Sequence, residues 1–164
     1  MSSRGIQLSE ALDMIEYYSA ELQRACCGTV DSERCNEARD NLRGVVEVLK
    51  LSRADMIILD EPAKISGMYI TQPSSRKDRY ELIRDLVCSG MKLPSLVENP
   101  WCGDSCDDEV LIDGHCRTRA YSERGMYSTP SIILCTYYGK GGHSPYMGAA
   151  ERLGFRHIRD LRLI

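Results

Sequence analysis

Asp113, His115, Cys116 and Arg117 fall within five consecutive positions, with Gly114 between the first two. A carboxylate can hold a hard cation, an imidazole can move a proton, a thiol can attack an electrophile, and a guanidinium fork matches a phosphate or carboxylate. Which chemistry is available depends on the backbone beneath them. The apolar run Val110, Leu111, Ile112 reads as a buried strand, broken at Asp113-Gly114. A helical pattern follows at once, over about Arg117 to Glu123. A helix that starts there aims unbonded N–H groups and the positive end of its dipole at the turn, and so favours an anion such as phosphate. Glycine at the turn lets the backbone come close to a ligand. The competing reading is structural: Asp113 as a helix cap, His115 as a satisfied surface imidazole and Arg117 as an ordinary ion-pair partner.

Those residues need a scaffold. Leu8, Leu12, Ile15, Tyr18 or Ser19, Leu22 and Cys26 recur at helical spacing, with Ser9 as N-cap and Gly28 as stop. A second stripe is Cys35, Ala38, Leu42, Val45, Val46 and Leu49. Residues 1–53 are therefore predicted to form a helical hairpin. Alone it buries too little, so it must pack on the domain that follows or on another subunit, a homodimer being one outcome. From residue 54 to 164 short strands alternate with helices. Strands are predicted over Met56–Leu59, Met68–Ile70, Leu93–Val97, Val110–Ile112 and Ser131–Tyr137. Asp60-Glu61-Pro62 reads as a turn, 71–75 and 99–108 as loops, and about Arg76 to Cys88 as a helix stopped by Gly90. Ser144-Pro145 opens a last helix that Gly154 ends, and an irregular strand carries Phe155, Ile158, Leu161 and Leu163. The fold class is α+β, a small mixed sheet with helices.

A hydrophobic fraction of 43% supports a real core, while a net charge of −3 and a pI near 5.7 disfavour nucleic acid as the main partner. Two arginine clusters, Arg117, Arg119, Arg124 and Arg152, Arg156, Arg159, Arg162, keep a local basic face open. Arg119 and Arg124 themselves read as solvated helix residues. The polar N-terminus lacks a signal peptide and no apolar run reaches membrane length, so the chain is expected to be cytoplasmic, off the membrane, with most of its eight cysteines reduced. Cys102 and Cys106 with Cys116 and His115 form a weak zinc pattern. Gly139-Lys140-Gly141-Gly142-His143 lacks the spacing of a phosphate-binding P-loop.

The order strand, helix ending in Gly90, strand at Leu93-Pro94, then Leu111-Ile112-Asp113-Gly114-His115-Cys116-Arg117 into a helix with Ala120 and Gly125, then a strand, resembles the ParB/sulfiredoxin-like superfamily over roughly residues 55–138. The Asp-Gly-His-x-Arg run is most similar to that of archaeal free-serine kinases. That resemblance implies a nucleotide-binding phosphotransferase that uses ATP or ADP with Mg2+ on a small hydroxylated metabolite such as free serine. It would make Asp113, His115 and Glu61 catalytic, Asp113 a magnesium ligand or orienter of the attacking hydroxyl, Glu61 a general base, and Gly114, His115, Cys116, Arg117 and Thr118 the nucleotide contacts. Sulfiredoxins carry Gly-Cys-His-Arg, whereas Gly114-His115-Cys116-Arg117 exchanges the middle pair and puts His115 where the nucleophile would stand. Partition proteins of this superfamily bind nucleotide and DNA and carry a helix-turn-helix region afterwards; about 25 residues follow residue 138, too few for one. A non-catalytic ParB-like nucleotide- or DNA-binding module and a ParB-like nuclease are the alternatives.

Overall fold

The apolar runs assemble into a five-stranded mixed sheet with helices on both faces, an α+β fold. The computed structural model describes residues 9–13, 15, 32–51, 54–91, 93–101, 109–139 and 141–164. In chain order these are α1 (helical at 9–13 and 15), α2 (Ser32–Leu51), β1 (Met56–Lys64), a 3-10 turn (Ile65–Gly67), β2 (Met68–Ile70), β3 (Ser74–Ser75) and α3 (Lys77–Cys88). They continue as β4 (Ser95–Trp101), β5 (Glu109–Asp113), α4 (His115–Glu123), β6 (Ser128–Tyr137), α5 (Pro145–Arg152), a second 3-10 turn (Ile158–Asp160) and β7 (Arg162–Leu163). The sheet order is β1-β6-β4-β5-β2, with β4–β6 and β2–β5 parallel and the other two pairs antiparallel. A separate parallel pair, β3 with β7, ties the C-terminal end of the chain to the loop before α3.

Side-chain alternation divides the core into two layers. Val97, Leu111 and Ile133 face Ile83, Leu86 and Val87 of α3 and Cys116, Ala120 and Tyr121 of α4. Their neighbours Leu96, Ile132 and Leu134 join Ile57 on the opposite face, against Ala11, Ile15, Val45 and Leu49 of the two N-terminal helices. Because both faces are covered, the central strands are continuously apolar. Each fully buried Leu or Ile contributes about 1.5–3 kcal/mol through removal from water. Helices α1 and α2 therefore cover a face of the sheet that would otherwise be wet. The stripe residues Cys35, Ala38 and Leu42, and everything expected of residues 16–31, lie outside the described residues. Ser9, expected as a cap, is itself helical.

Several boundaries differ from expectation. Asp60-Glu61-Pro62 is not a turn; β1 runs through it to Lys64, with a register shift between Ile58 and Glu61. The irregularity absorbs the turn-forming residues, and Pro62 is tolerated because β1 is an edge strand. Strand β4 starts after Pro94 and continues through Asn99 and Pro100 to Trp101, where a loop was expected, because β6 pairs with it along that whole length. Helix α4 starts at His115, two residues early. Helices α3, α4 and α5 all end as Schellman motifs on Gly90, Gly125 and Gly154, with N–H donation from Met91 to Leu86, Met126 to Tyr121 and Phe155 to Ala150 at 3.2, 3.1 and 2.9 Å. No helix among the described residues is long and apolar enough to cross a membrane.

Polar residues fasten the periphery. Glu98, 2% exposed on β4, accepts from Tyr138 Oη at 2.7 Å and from Ser144 Oγ. Burial, then the adjacent Glu98, pushes the Tyr138 phenol up to about 12. Ser144 also caps α5, accepting from the N–H groups of Tyr146 and Met147 at 3.2 and 3.3 Å. Ser144→Ala should lower stability by about 2 kcal/mol, one part lost cap and one part a buried carboxylate without its donor. The expected signature is a lower urea midpoint with an unchanged slope.

Candidate functional site

Gly114 makes the turn from β5 into α4 with φ +94° and ψ 25°, and its carbonyl accepts the first helical bond, from Thr118 N–H at 2.8 Å. The N–H groups of residues 115–117 precede that bond and have no intrahelical acceptor. Helix α4 is held down beneath them by hydroxyls. Ser95 Oγ on β4 meets Thr118 Oγ1 at 2.8 Å and Thr129 Oγ1 at 3.4 Å, and Ser131 Oγ donates to Thr129 O at 3.1 Å. All four residues are fully buried.

Arg117 is the anomaly of this layer. No part of its side chain is exposed. Nη2 donates to Asp113 Oδ2 at 2.6 Å, yet Nε and Nη1 are buried without a hydrogen-bond partner. A desolvated charge with unmet donors is costly, and native proteins seldom retain one without a reason. Only glycine lets the guanidinium pack this close to the turn: a Cβ at Gly114 would stand 2.9 Å from Arg117 Nε, Arg117 Nη2 and Ser95 Oγ. Asp113 is the open edge of the turn, with 36% of its side chain in solvent.

His115 is only 3% exposed and does not act as a cation. Thr71 N–H points at Nε2 from 3.2 Å, and because an amide N–H can only donate, Nε2 carries the lone pair and Nδ1 the proton. Thr71 Oγ1 gives its own proton to Leu111 O at 2.8 Å. Burial, partly opposed by the Asp113 charge and aided by Arg117, pushes the imidazole down to about 4. Between pH 6.5 and 4 the unfolded chain therefore takes up a proton that the folded one refuses, so stability falls as pH is lowered through that window. Roughly 3 kcal/mol should be lost across it. In urea titrations at stepped pH, His115→Gln should flatten this dependence; an unchanged slope would place the acid sensitivity elsewhere.

The remaining expected contacts are placed as follows. Cys116 sits in the apolar layer under α3, and Thr118 turns its hydroxyl to Ser95. The backbone of Glu61 pairs with Ser131, which pairs with Ser95, whose neighbour Leu96 pairs with Asp113. That is three strand spacings from the turn, roughly 14 Å. No group of three or more metal-ligating side chains occurs among the described residues, Asp113 included. A magnesium ion fits such a site, since it keeps waters and takes one or two carboxylates together with phosphate oxygens.

No protein-family model matches this chain, and no curated protein is significantly similar to it. The site must be read from its own atoms. Of the arginines that suggested a basic face, the first cluster is hydrogen-bonded within the protein: Arg119 donates to Glu123 Oε1 at 2.7 Å and to Leu161 O, and Arg124 to Val87 O at 2.6 Å, while Arg152, Arg156, Arg159 and Arg162 are exposed. Arg119 and Arg124 brace neighbouring elements, where solvated residues were expected. Sequence reasoning missed Ser95, Thr129, Ser131 and Thr71. The first three had a signal: polar residues at alternate positions of otherwise apolar strands mark a polar strip on a buried face.

Proposed function

We propose that the β5–α4 turn binds the phosphates of ATP or ADP, and that the protein is a nucleotide-dependent phosphotransferase acting on a small hydroxylated metabolite such as free serine. The observation that carries this reading is Arg117, a wholly buried guanidinium with Nε and Nη1 unmet, packed against a turn that only glycine permits. Phosphate oxygens would satisfy both donors once the turn opens at its Asp113 edge, and the positive end of the α4 dipole would favour them there. The ligand would enter at Asp113, the exposed edge.

Phosphoryl transfer asks for positioning and charge neutralisation more than for covalent chemistry. Arg117 would hold phosphate oxygens through its fork. His115, neutral and fixed by Thr71, would position the turn rather than neutralise charge. Asp113 is the carboxylate within reach of the phosphates, so it is the residue to orient the acceptor hydroxyl and to hold Mg2+, which when bound would neutralise phosphate charge; Glu61 is too far away to share that task directly. The order β4–β5–α4–β6 with this turn is what supports membership of the ParB/sulfiredoxin-like superfamily.

The test is incubation with ATP or ADP, Mg2+ and serine, with phosphoserine as the readout and Asp113→Ala as the control. Absence of product together with unchanged nucleotide binding in Asp113→Ala would dismiss the proposal. The nucleic-acid alternative rests on the exposed Arg152, Arg156, Arg159 and Arg162, because Arg117, Arg119 and Arg124 bond within the protein. Salt-dependent DNA binding would support it.

A further inference from the structure

The two halves of the ion pair at the β5–α4 turn differ in their freedom to leave it. Asp113 Oδ2 and Arg117 Nη2 are 2.6 Å apart, yet 36% of the Asp113 side chain is in solvent and none of the Arg117 side chain is. Parting them therefore has unequal consequences. A released carboxylate turns into water and is solvated there. The guanidinium cannot follow, and a buried charge left without its partner is strongly disfavoured. Arg117 can release Asp113 only when another anion takes its place. Its Nε and Nη1, buried without acceptors, add to that demand.

Asp113 also precedes Gly114, the N-cap of the nine-residue α4. Its carboxylate thus stands toward the positive end of the helix dipole, where an anion is favoured. Dipole and guanidinium are already engaged by an anion that belongs to the chain itself. In this state the turn is balanced in charge: one carboxylate, one guanidinium, and a His115 imidazole that burial keeps neutral at pH 7. Arg119 and Arg124 donate away from it, to Leu161 O and Val87 O. A phosphate that arrives alone meets no excess positive charge and competes with a tethered carboxylate. A phosphate that arrives with a divalent cation changes the balance, because the displaced carboxylate is itself a ligand for a hard cation.

From this asymmetry we infer that Asp113 is the gate and the specificity-determining residue of the anion site. Its carboxylate occupies Arg117 in the unliganded protein and yields to ligand phosphate by turning to the solvent edge. The site therefore favours magnesium-complexed nucleotides over metal-free nucleotides and free phosphate. The inference rests on the nucleotide reading above and adds what selects among its ligands.

The experiment compares the full chain with its Asp113→Asn variant. Calorimetry with ADP is run once with Mg2+ and once with EDTA. Asp113→Asn should bind metal-free ADP about tenfold more tightly than wild type, because a charge-assisted competitor for Arg117 is gone. Mg2+ should tighten ADP binding to wild type and leave that of Asp113→Asn unchanged. Thermal melts with inorganic phosphate are the second readout. Asp113→Asn should melt below wild type, since Arg117 has lost its countercharge, and phosphate should raise its melting temperature more than that of wild type. The double variant that also carries Arg117→Met should lose the phosphate response. A purely structural Asp113 would instead give Asp113→Asn weaker ADP binding in both buffers and a phosphate response no larger than that of wild type, and either result overturns the inference. Phosphate rescue of Asp113→Asn with no ADP binding in any arm supports the gate and removes the nucleotide reading. Binding of ADP with Mg2+ by wild type, with no gain for metal-free ADP in Asp113→Asn, removes the gate and keeps that reading.

Discussion

Arg117→Met should lower affinity for ADP about a hundredfold while leaving the unliganded protein as stable as before, or more stable. The two halves of that result come from one fact. In the unliganded protein the Arg117 guanidinium is fully buried, with one ion pair and two unmet nitrogens. Replacing a buried ion pair by an apolar residue of similar volume is typically neutral or stabilising by about 1–4 kcal/mol. Its partner Asp113 is a third exposed, so it regains water when the pair is lost. In the nucleotide complex the same nitrogens would make charge-assisted bonds worth roughly 1.5–3 kcal/mol each, and a hundredfold loss corresponds to about 2.7 kcal/mol. Calorimetry with ADP and Mg2+ measures the first half and a thermal melt the second. A melt lowered by many degrees with affinity unchanged would make Arg117 a structural residue and remove the basis for phosphate binding. Arg117→Lys sharpens the comparison: a point charge on a flexible stem cannot reproduce the fork, so affinity should still fall.

That pairing of effects could not have been read from the chain alone. The sequence announces the strand–turn–helix around Gly114 because apolar periodicity changes abruptly there, from Val110-Leu111-Ile112 to the helical pattern ending at Gly125. Local signals of this kind also place α3, α5 and the stops at Gly90 and Gly154. Where neighbours decide the outcome, local signals fail. Asp60-Glu61-Pro62 has turn chemistry but is carried into β1 by pairing with β6, and Asn99-Pro100 is carried into β4 by the same strand. At the site, the resemblance implied nucleotide contact for five consecutive residues from Gly114 to Thr118. Burial then separates them: Cys116 packs, Thr118 bonds Ser95, and His115 is kept neutral by burial and oriented by Thr71, forty-four residues away. No spacing rule reports a backbone amide aimed at an imidazole from a distant loop.

Gly114→Ala should damage both stability and ADP binding, and Gly125→Ala is its natural control. Both glycines have positive φ, +94° and +73°, so both substitutions incur the backbone strain, about 1–2 kcal/mol. At Gly125 nothing lies within 4 Å of the added carbon, and strain is the whole effect. At Gly114 the carbon meets Arg117 Nε, Arg117 Nη2 and Ser95 Oγ at 2.9 Å, in a layer where Ser95 is already bonded to Thr118. Overpacking of that kind adds about 1–3 kcal/mol. The sum, roughly 2–4 kcal/mol, corresponds to a melting temperature lower by about 5–15 °C. ADP binding should be lost with Gly114→Ala, because the methyl displaces the Arg117 guanidinium from its place against the turn, and kept with Gly125→Ala. The difference between the two variants isolates the close approach from the strain. If Gly114→Ala proved no worse than Gly125→Ala in melting and still bound ADP, the guanidinium and the Ser95 hydroxyl must give way freely. The close packing of Arg117 on Gly114 would then not be needed for binding, and the case for a phosphate site would rest on the unmet donors of Arg117 alone.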